Sequence, residues 1–213
     1  MDYNLAGLRK RVAVDKLDDE EFEPQIIDNF LNDTLRNIYN QYELPFQEKI
    51  FNGSVPESTT MFAFPSDVAL PLSQVITAPD GDQKEISNGY LPFREFNKKF
   101  PTPNNNEPGP LAYWSLFAGN MLLSNPMDTT YTMTMFYIKK PKLLLQNSDV
   151  PELPEEFSEL LVLGAYMRVL KRNEDTDLAT GVEAEYTQQL NMLVNRYGFR
   201  KADGPIKMKN QQR

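Results

Sequence analysis

The 213-residue chain contains neither cysteine nor histidine. Without cysteine there are no disulfide scaffolds, thiolate nucleophiles or cysteine-zinc sites. Without histidine there is no imidazole to act as base or ligand, and every Ser-His or Cys-His arrangement is excluded. Carboxylates are the only hydrolytic chemistry left. The ten glycines are scattered, with neither a Walker-type stretch nor Gly-x-Gly-x-x-Gly, so nucleotide phosphates have no cradle. The Asp-x-Asp-x-Asp-Gly spacing of a calcium loop is missing as well. No cofactor and no metal are expected. The longest mainly apolar stretches, Leu160 to Met167 and Ala112 to Leu123, fall well short of the about 20 residues that a membrane span needs. Met1-Asp2-Tyr3-Asn4 lacks the basic region and apolar run of a secretory signal, so synthesis in a cytoplasm is expected, with no membrane partner.

What is present suits a compact fold. Hydrophobic residues make up 40% and charged residues 24%, enough to bury a core. Leu5, Leu8 and Val12 share the face of a short helix that breaks in the acidic stretch Asp15 to Glu23. Pro24 suits a first helical position. From there Ile27, Phe30, Leu31, Leu35, Ile38 and Tyr42 recur on one face of a second helix, ending near Glu43 and Leu44. Twelve of the 16 prolines then fall between Pro45 and Pro141, among many β-branched and aromatic residues. Strands are expected over Thr59 to Phe64, Ser73 to Thr77, Leu111 to Phe117, Asn120 to Leu123 and Tyr131 to Lys139. In the last of these Thr132, Thr134 and Phe136 alternate with Tyr131, Met133, Met135 and Tyr137. A short helix at Phe93 to Phe100 and a loop over Pro101 to Pro110 interrupt the sheet. After a linker, Gln146 to Leu153, a third helix opens at Pro154-Glu155-Glu156, with small residues Gly164 and Ala165 permitting a close neighbour. A fourth runs from about Leu178 to Tyr197, and Gly198 stops it.

Helices this short need partners. The expected class is therefore α+β: a helical bundle with an antiparallel β domain inserted between its second and third helices. The corresponding segments are 1–45 for the first helices, 46–145 for the inserted domain, 146–198 for the last helices and 199–213 for a tail.

Three constellations could carry function. Asp149, Glu152, Glu155, Glu156 and Glu159 cluster at the third helix, where a glycosidase pair about 5 to 10 Å apart is conceivable. Acids at a helix N-terminus are favoured by its dipole in any case. Trp114, with Tyr113 and Phe117, could stack a sugar in a carbohydrate- or receptor-binding module, although an aromatic on a strand is more commonly core. The third is charge asymmetry. Between Arg196 and Arg213 there are six basic residues and one acid, whereas the first 195 residues hold 16 basic and 29 acidic. Such a tail is either a solvated end or an arm that orders on a partner, anchored by Phe199, Ile206 and Met208.

A resemblance lies in the order of several segments. Ile27-Asp28-Asn29-Phe30-Leu31-Asn32-Asp33-Thr34-Leu35-Arg36-Asn37-Ile38 precedes Phe64-Pro65-Ser66-Asp67 and Gly109-Pro110-Leu111-Ala112-Tyr113-Trp114. Asn120-Met121-Leu122-Leu123-Ser124-Asn125-Pro126 follows, then Met135-Phe136-Tyr137-Ile138-Lys139-Lys140-Pro141 and Leu153-Pro154-Glu155-Glu156-Phe157-Ser158-Glu159-Leu160-Leu161. From about Leu5 to Arg172 the chain resembles the head-to-tail adaptor, or connector, proteins of tailed bacteriophages.

The resemblance implies a noncatalytic virion protein at the head-tail junction. It would form a homo-oligomeric ring, commonly a dodecamer, below the portal protein. The ring would extend the DNA channel and dock tail or nozzle proteins. DNA would pass without sequence-specific binding. The family's C-terminal segment often reaches into the portal, which makes Phe199, Arg200, Lys201, Ile206, Lys207, Met208 and Lys209 the candidate portal-binding residues here.

Overall fold

The computed structural model describes residues 3–197 and the backbone of Phe199–Arg200. Along the chain, α1 (Leu5–Lys10) continues into a π-helical turn (Arg11–Lys16) and is followed by α2 (Pro24–Gln41), β1 (Tyr42–Glu43) and β2 (Glu48–Val55). Next come β3 (Met61–Ala63), β4 (Val68–Thr77), β5 (Gln83–Glu85), α3 (Phe93–Lys99), β6 (Trp114–Phe117), β7 (Asn120–Leu123) and β8 (Tyr131–Lys139). The chain closes with α4 (Ser158–Arg172), α5 (Thr176–Tyr197) and β9 (Phe199–Arg200). Helices and antiparallel sheets place it in the α+β class. Two compact units divide the chain: residues 1–47 with 141–213, and residues 48–140.

The first unit is helical. Its core joins Leu5, Leu8 and Val12 to Ile27, Leu31, Leu35 and Ile38 of α2 and to Leu160, Leu161 and Ala165 of α4. The first helix breaks within the acidic stretch as expected, at Lys16, but its last turn is widened: Leu17 donates its N–H to the Val12 carbonyl and Asp19 to that of Ala13. α4 and α5 form a hairpin whose connection holds Glu174 in the left-handed region at φ 64°. Gly164 lets α4 approach α2, since a Cβ there would lie 2.3 Å from the Thr34 Cγ2. The third helix starts later than expected, because Glu155–Phe157 is a 3-10 turn and the α-helix begins at Ser158.

The segment from Pro141 to Leu145 packs with the helices. Leu144 is buried, and the buried Asn32 amide brackets its peptide group, accepting the Leu144 N–H at 2.8 Å and donating to the Leu144 carbonyl at 2.9 Å. Downstream, Asp149 accepts the N–H groups of Gln146 and Leu145 and the ammonium of Lys142. Those bonds hold its carboxyl at about 2, well below the usual carboxylate range. The loop thus ordered caps α1: Leu5 and Ala6 donate their N–H groups to the carbonyls of Asp149 and Asn147, and Gly7 to the Asn4 side chain.

The second unit has a four-stranded antiparallel sheet in the order β2-β8-β4-β5 and a three-stranded sheet in the order β3-β7-β6. They share a core to which one contributes Val55, Ile76, Tyr131 and Met133, and the other Trp114, Met121 and Leu123. The alternation read in β8 holds: Tyr131, Met133, Met135 and Tyr137 are buried, and Phe136 and Thr132 point out. β2 was not expected. Its Asn52-Gly53 pair looks like a turn, but Gly53 continues the strand beneath the Phe51 ring, which a Cβ would meet at 2.5 Å. β5 is all polar and exposed, and only its pairing with Val75, Ile76 and Thr77 defines it.

Candidate functional site

The residues expected to bind a portal fall at the end of the chain. The Phe199–Arg200 backbone pairs antiparallel with β1, Tyr42 opposite Arg200 and Glu43 opposite Phe199. The side chains of Phe199 and Arg200, and all of Lys201, Ile206, Lys207, Met208 and Lys209, lie outside the described residues. The start of the tail is thus fixed to the end of α2 by its backbone. Just before it, Tyr197 packs edge-on against Phe157 and Phe46. Its hydroxyl donates to Glu156 Oε1 at 2.9 Å, and Arg196 holds the other oxygen of that carboxylate at 2.9 Å.

Three of the five acids at the third helix are tied to separate partners. Glu156 is engaged by Arg196 and Tyr197. Glu159 is shared by Arg11 and Lys16 and ties the π-helical turn to α4. Asp149 is a loop staple whose depressed pKa comes chiefly from the Gln146 and Leu145 N–H groups. A general acid needs the opposite environment, one that raises its pKa. Among the described residues no group of three or more Asp and Glu could hold a metal ion.

Trp114 is a core residue. It is 2% exposed, its indole N–H donates to the Ile86 carbonyl at 2.7 Å, and Phe64 stacks on it at 6.4 Å between ring centroids. Those contacts close its faces to a sugar. Of its two neighbours, Tyr113 lies under the Lys99 ammonium at 3.8 Å, and only Phe117, stacked on Phe93 at 4.2 Å, remains largely exposed.

Two surfaces of the second unit carry exposed apolar side chains, and the second of them includes Phe117. On the outward face of the four-stranded sheet Ile50 lies opposite Phe136, with Leu70 and Leu72 on the neighbouring strand. They are 54%, 42%, 42% and 44% exposed. Farther along the same face the residues turn polar, and the Thr134 hydroxyl bonds Asn52 at 2.8 Å. The signal was present in the alternation of β8, where Phe136 is the one aromatic in phase with two threonines. β4 is irregular where it pairs with β8: its register slips twice, between Val68 and Leu70 and between Pro71 and Ser73. Such bulges bend the strand and leave the apolar side chains available.

The second surface belongs to the three-stranded sheet. There Phe117 points outward from β6 and stacks with Phe93 at the start of α3. α3 buries Phe96, so Arg94 and Lys98, each about 200° around the helix from it, face away from the core. Between the sheets, Phe64, Pro65, Val68, Leu116 and Lys140 are among the residues that line a groove of about 360 Å³. No helix among the described residues is long and apolar enough to cross a membrane.

The structure thus has a helical unit whose tail begins by pairing with β1, and a β unit with exposed apolar side chains. No curated protein matches the chain. A family model described as SU10 adaptor protein matches residues 3–209, nearly the whole sequence. The chain therefore belongs to the SU10 adaptor protein family, a family of bacteriophage adaptor proteins.

Proposed function

We propose that this protein is a noncatalytic head-to-tail adaptor of a tailed bacteriophage. In this reading copies of the chain form a ring, twelve in number, at the head-tail junction below the portal protein. The ring extends the DNA channel and receives tail or nozzle proteins. The observation that carries the reading is the family match over residues 3–209. The division of the chain into a helical unit and a β unit supports it, with the helical unit forming the body and residues 48–140 the tail-side surface.

The charge distribution supports it independently. A channel for DNA should pass the duplex without holding it, and a body with 29 acids and 16 bases over its first 195 residues repels phosphates and does not neutralise them. Basic residues are concentrated in the tail, where Phe199, Arg200, Lys201, Ile206, Lys207, Met208 and Lys209 contact the portal. The test is complementation. Particles lacking the protein are expected to be filled heads without tails, and the full chain restores tail attachment. A chain ending at Tyr197 folds but fails to join the portal. Full tail attachment by the shortened chain would reject the tail's role, and normal tailed particles without the protein would reject the reading altogether.

A further inference from the structure

We propose that neighbouring copies in the ring contact one another through the two apolar surfaces of the β unit: the Phe93–Phe117 edge of one copy seats on the Ile50–Phe136 face of the next. The inference rests on the proposed ring and specifies its subunit contact. The two surfaces differ from each other and belong to the two different sheets that share one core. The sheet face exposes four apolar side chains, a cluster of the kind that marks a contact site, and the second surface offers exposed Phe117 backed by half-buried Phe93. Two unlike, complementary surfaces on one chain give a head-to-tail contact, which closes into a ring when the rotation between copies permits.

Charge selects the occupant. The positions of that face paired across the four-stranded sheet, from Glu48, buried Ile138 and Leu70 at one end to Thr77 and Gln83 at the other, include two acids, Glu48 and Glu85, and no cation. Nearby Lys49 belongs to the other side of β2 and is bound to Asp67 at 2.7 Å. The donor surface has a net positive charge: α3 exposes Arg94, Lys98 and Lys99 against one acid, Glu95. Arg94 and Lys98 stand one turn apart on the exposed side of α3, and Lys99 is drawn onto the Tyr113 ring. A second copy of this chain thus offers both the apolar patch and the counter-charge that the sheet face lacks. The contact is proposed between side chains of the sheet face, since Ile50, Phe136, Leu70 and Leu72 project from the face and not from its edges.

The absence of cysteine allows a clean test. Ser73→Cys lies beside Phe136 on the sheet face and Asn97→Cys lies on α3, and neither change touches the apolar residues. Particles assembled with the double variant are treated with a short bis-maleimide and analysed on a denaturing gel. The expected result is a ladder of linked chains from the double variant and single chains from each single variant. Dimers from one single variant would mean like meeting like, and single chains from the double variant within an intact ring would mean that these faces do not touch. Either result overturns the proposal. A neck without any ring would instead defeat the function on which the proposal rests, and the proposal with it.

Surface charges give a second measurement that leaves folding alone. Glu48→Lys with Glu85→Lys, or Arg94→Glu with Lys98→Glu, should each lower incorporation into particles on the order of tenfold. All four changes together should recover most of it. Equal incorporation of every variant would also refute the contact.

Discussion

Gly164→Ala adds one methyl group and tests how the helical unit is closed. The new Cβ would lie 2.3 Å from Thr34 Cγ2, 2.8 Å from Thr34 Oγ1 and 3.0 Å from the Tyr186 ring. Carbon atoms rest at about 3.5 to 4.0 Å, so α2 and α4 must part by about 1 Å or more or repack around the site. Thr34 cannot easily turn aside, because its hydroxyl donates to the Phe30 carbonyl at 2.8 Å and its side chain is buried. Overpacking of this kind costs about 1–3 kcal/mol. The gain in helix propensity from glycine to alanine returns up to about 1 kcal/mol. The net expectation is a loss of about 1–2 kcal/mol, read as a lower urea midpoint for the helical signal in circular dichroism. Thr34→Ala in the same chain removes two of the three clashes, so a double-mutant cycle should show coupling of about 1 kcal/mol or more. A Gly164→Ala chain as stable as the parent, or additivity of the two changes, would refute the close approach of α2 to α4.

Other outcomes follow from the same structure. Asn32→Ala strands both the N–H and the carbonyl of buried Leu144, and should destabilise the helical unit by about 2–4 kcal/mol in the same urea measurement. Trp114→Phe removes the indole bond to the Ile86 carbonyl, which keeps the Gly89 N–H, and should cost the β unit about 0.5–1.5 kcal/mol for that bond by thermal unfolding, while the fluorescence of the parent's single tryptophan should be that of a buried indole. Asp149 has a carboxyl pKa of about 2 in the folded chain, below its unfolded value near 3.9. Its contribution is complete above the unfolded value and is lost as the pH falls through the folded one. Acid titrations between about pH 5 and 2 should therefore show a shallower loss of stability in Asp149→Asn than in the parent, and identical slopes would contradict the loop geometry.

The sequence displayed the elements whose pattern is internal to them. α2, β7 and β8 carry their own periodicity, and β7 and β8 begin and end where the alternation does. The close approach at Gly164 was legible from a small residue on a buried face. β2 and β5 were not legible, because each depends on a partner strand: Gly53 is tolerated only beneath a folded-back ring, and Gln83-Lys84-Glu85 has no apolar residue to mark it. The segment from Pro141 to Leu145 reads as part of the β domain by composition, yet Asn32, more than a hundred residues away, draws it to the helices.

The site was legible in part. The burial of Trp114 and the structural use of the acids agree with the plainer interpretations of those residues. The exposed sheet face was visible only as one aromatic among threonines, and its extent requires the register of three strands. The residues proposed for the portal rest on composition and resemblance, and only the backbone at Phe199–Arg200 adds a structural fact, their pairing with Tyr42–Glu43.

A reconstruction of the neck of the mature particle by electron cryo-microscopy tests the central claim most directly. The account expects a ring of twelve copies of this chain between portal and tail, with its C-terminal segments against the portal and an acidic bore around the DNA. A neck without this chain, or one in which it is present as a single copy or lines the channel with a strongly basic wall, would contradict it.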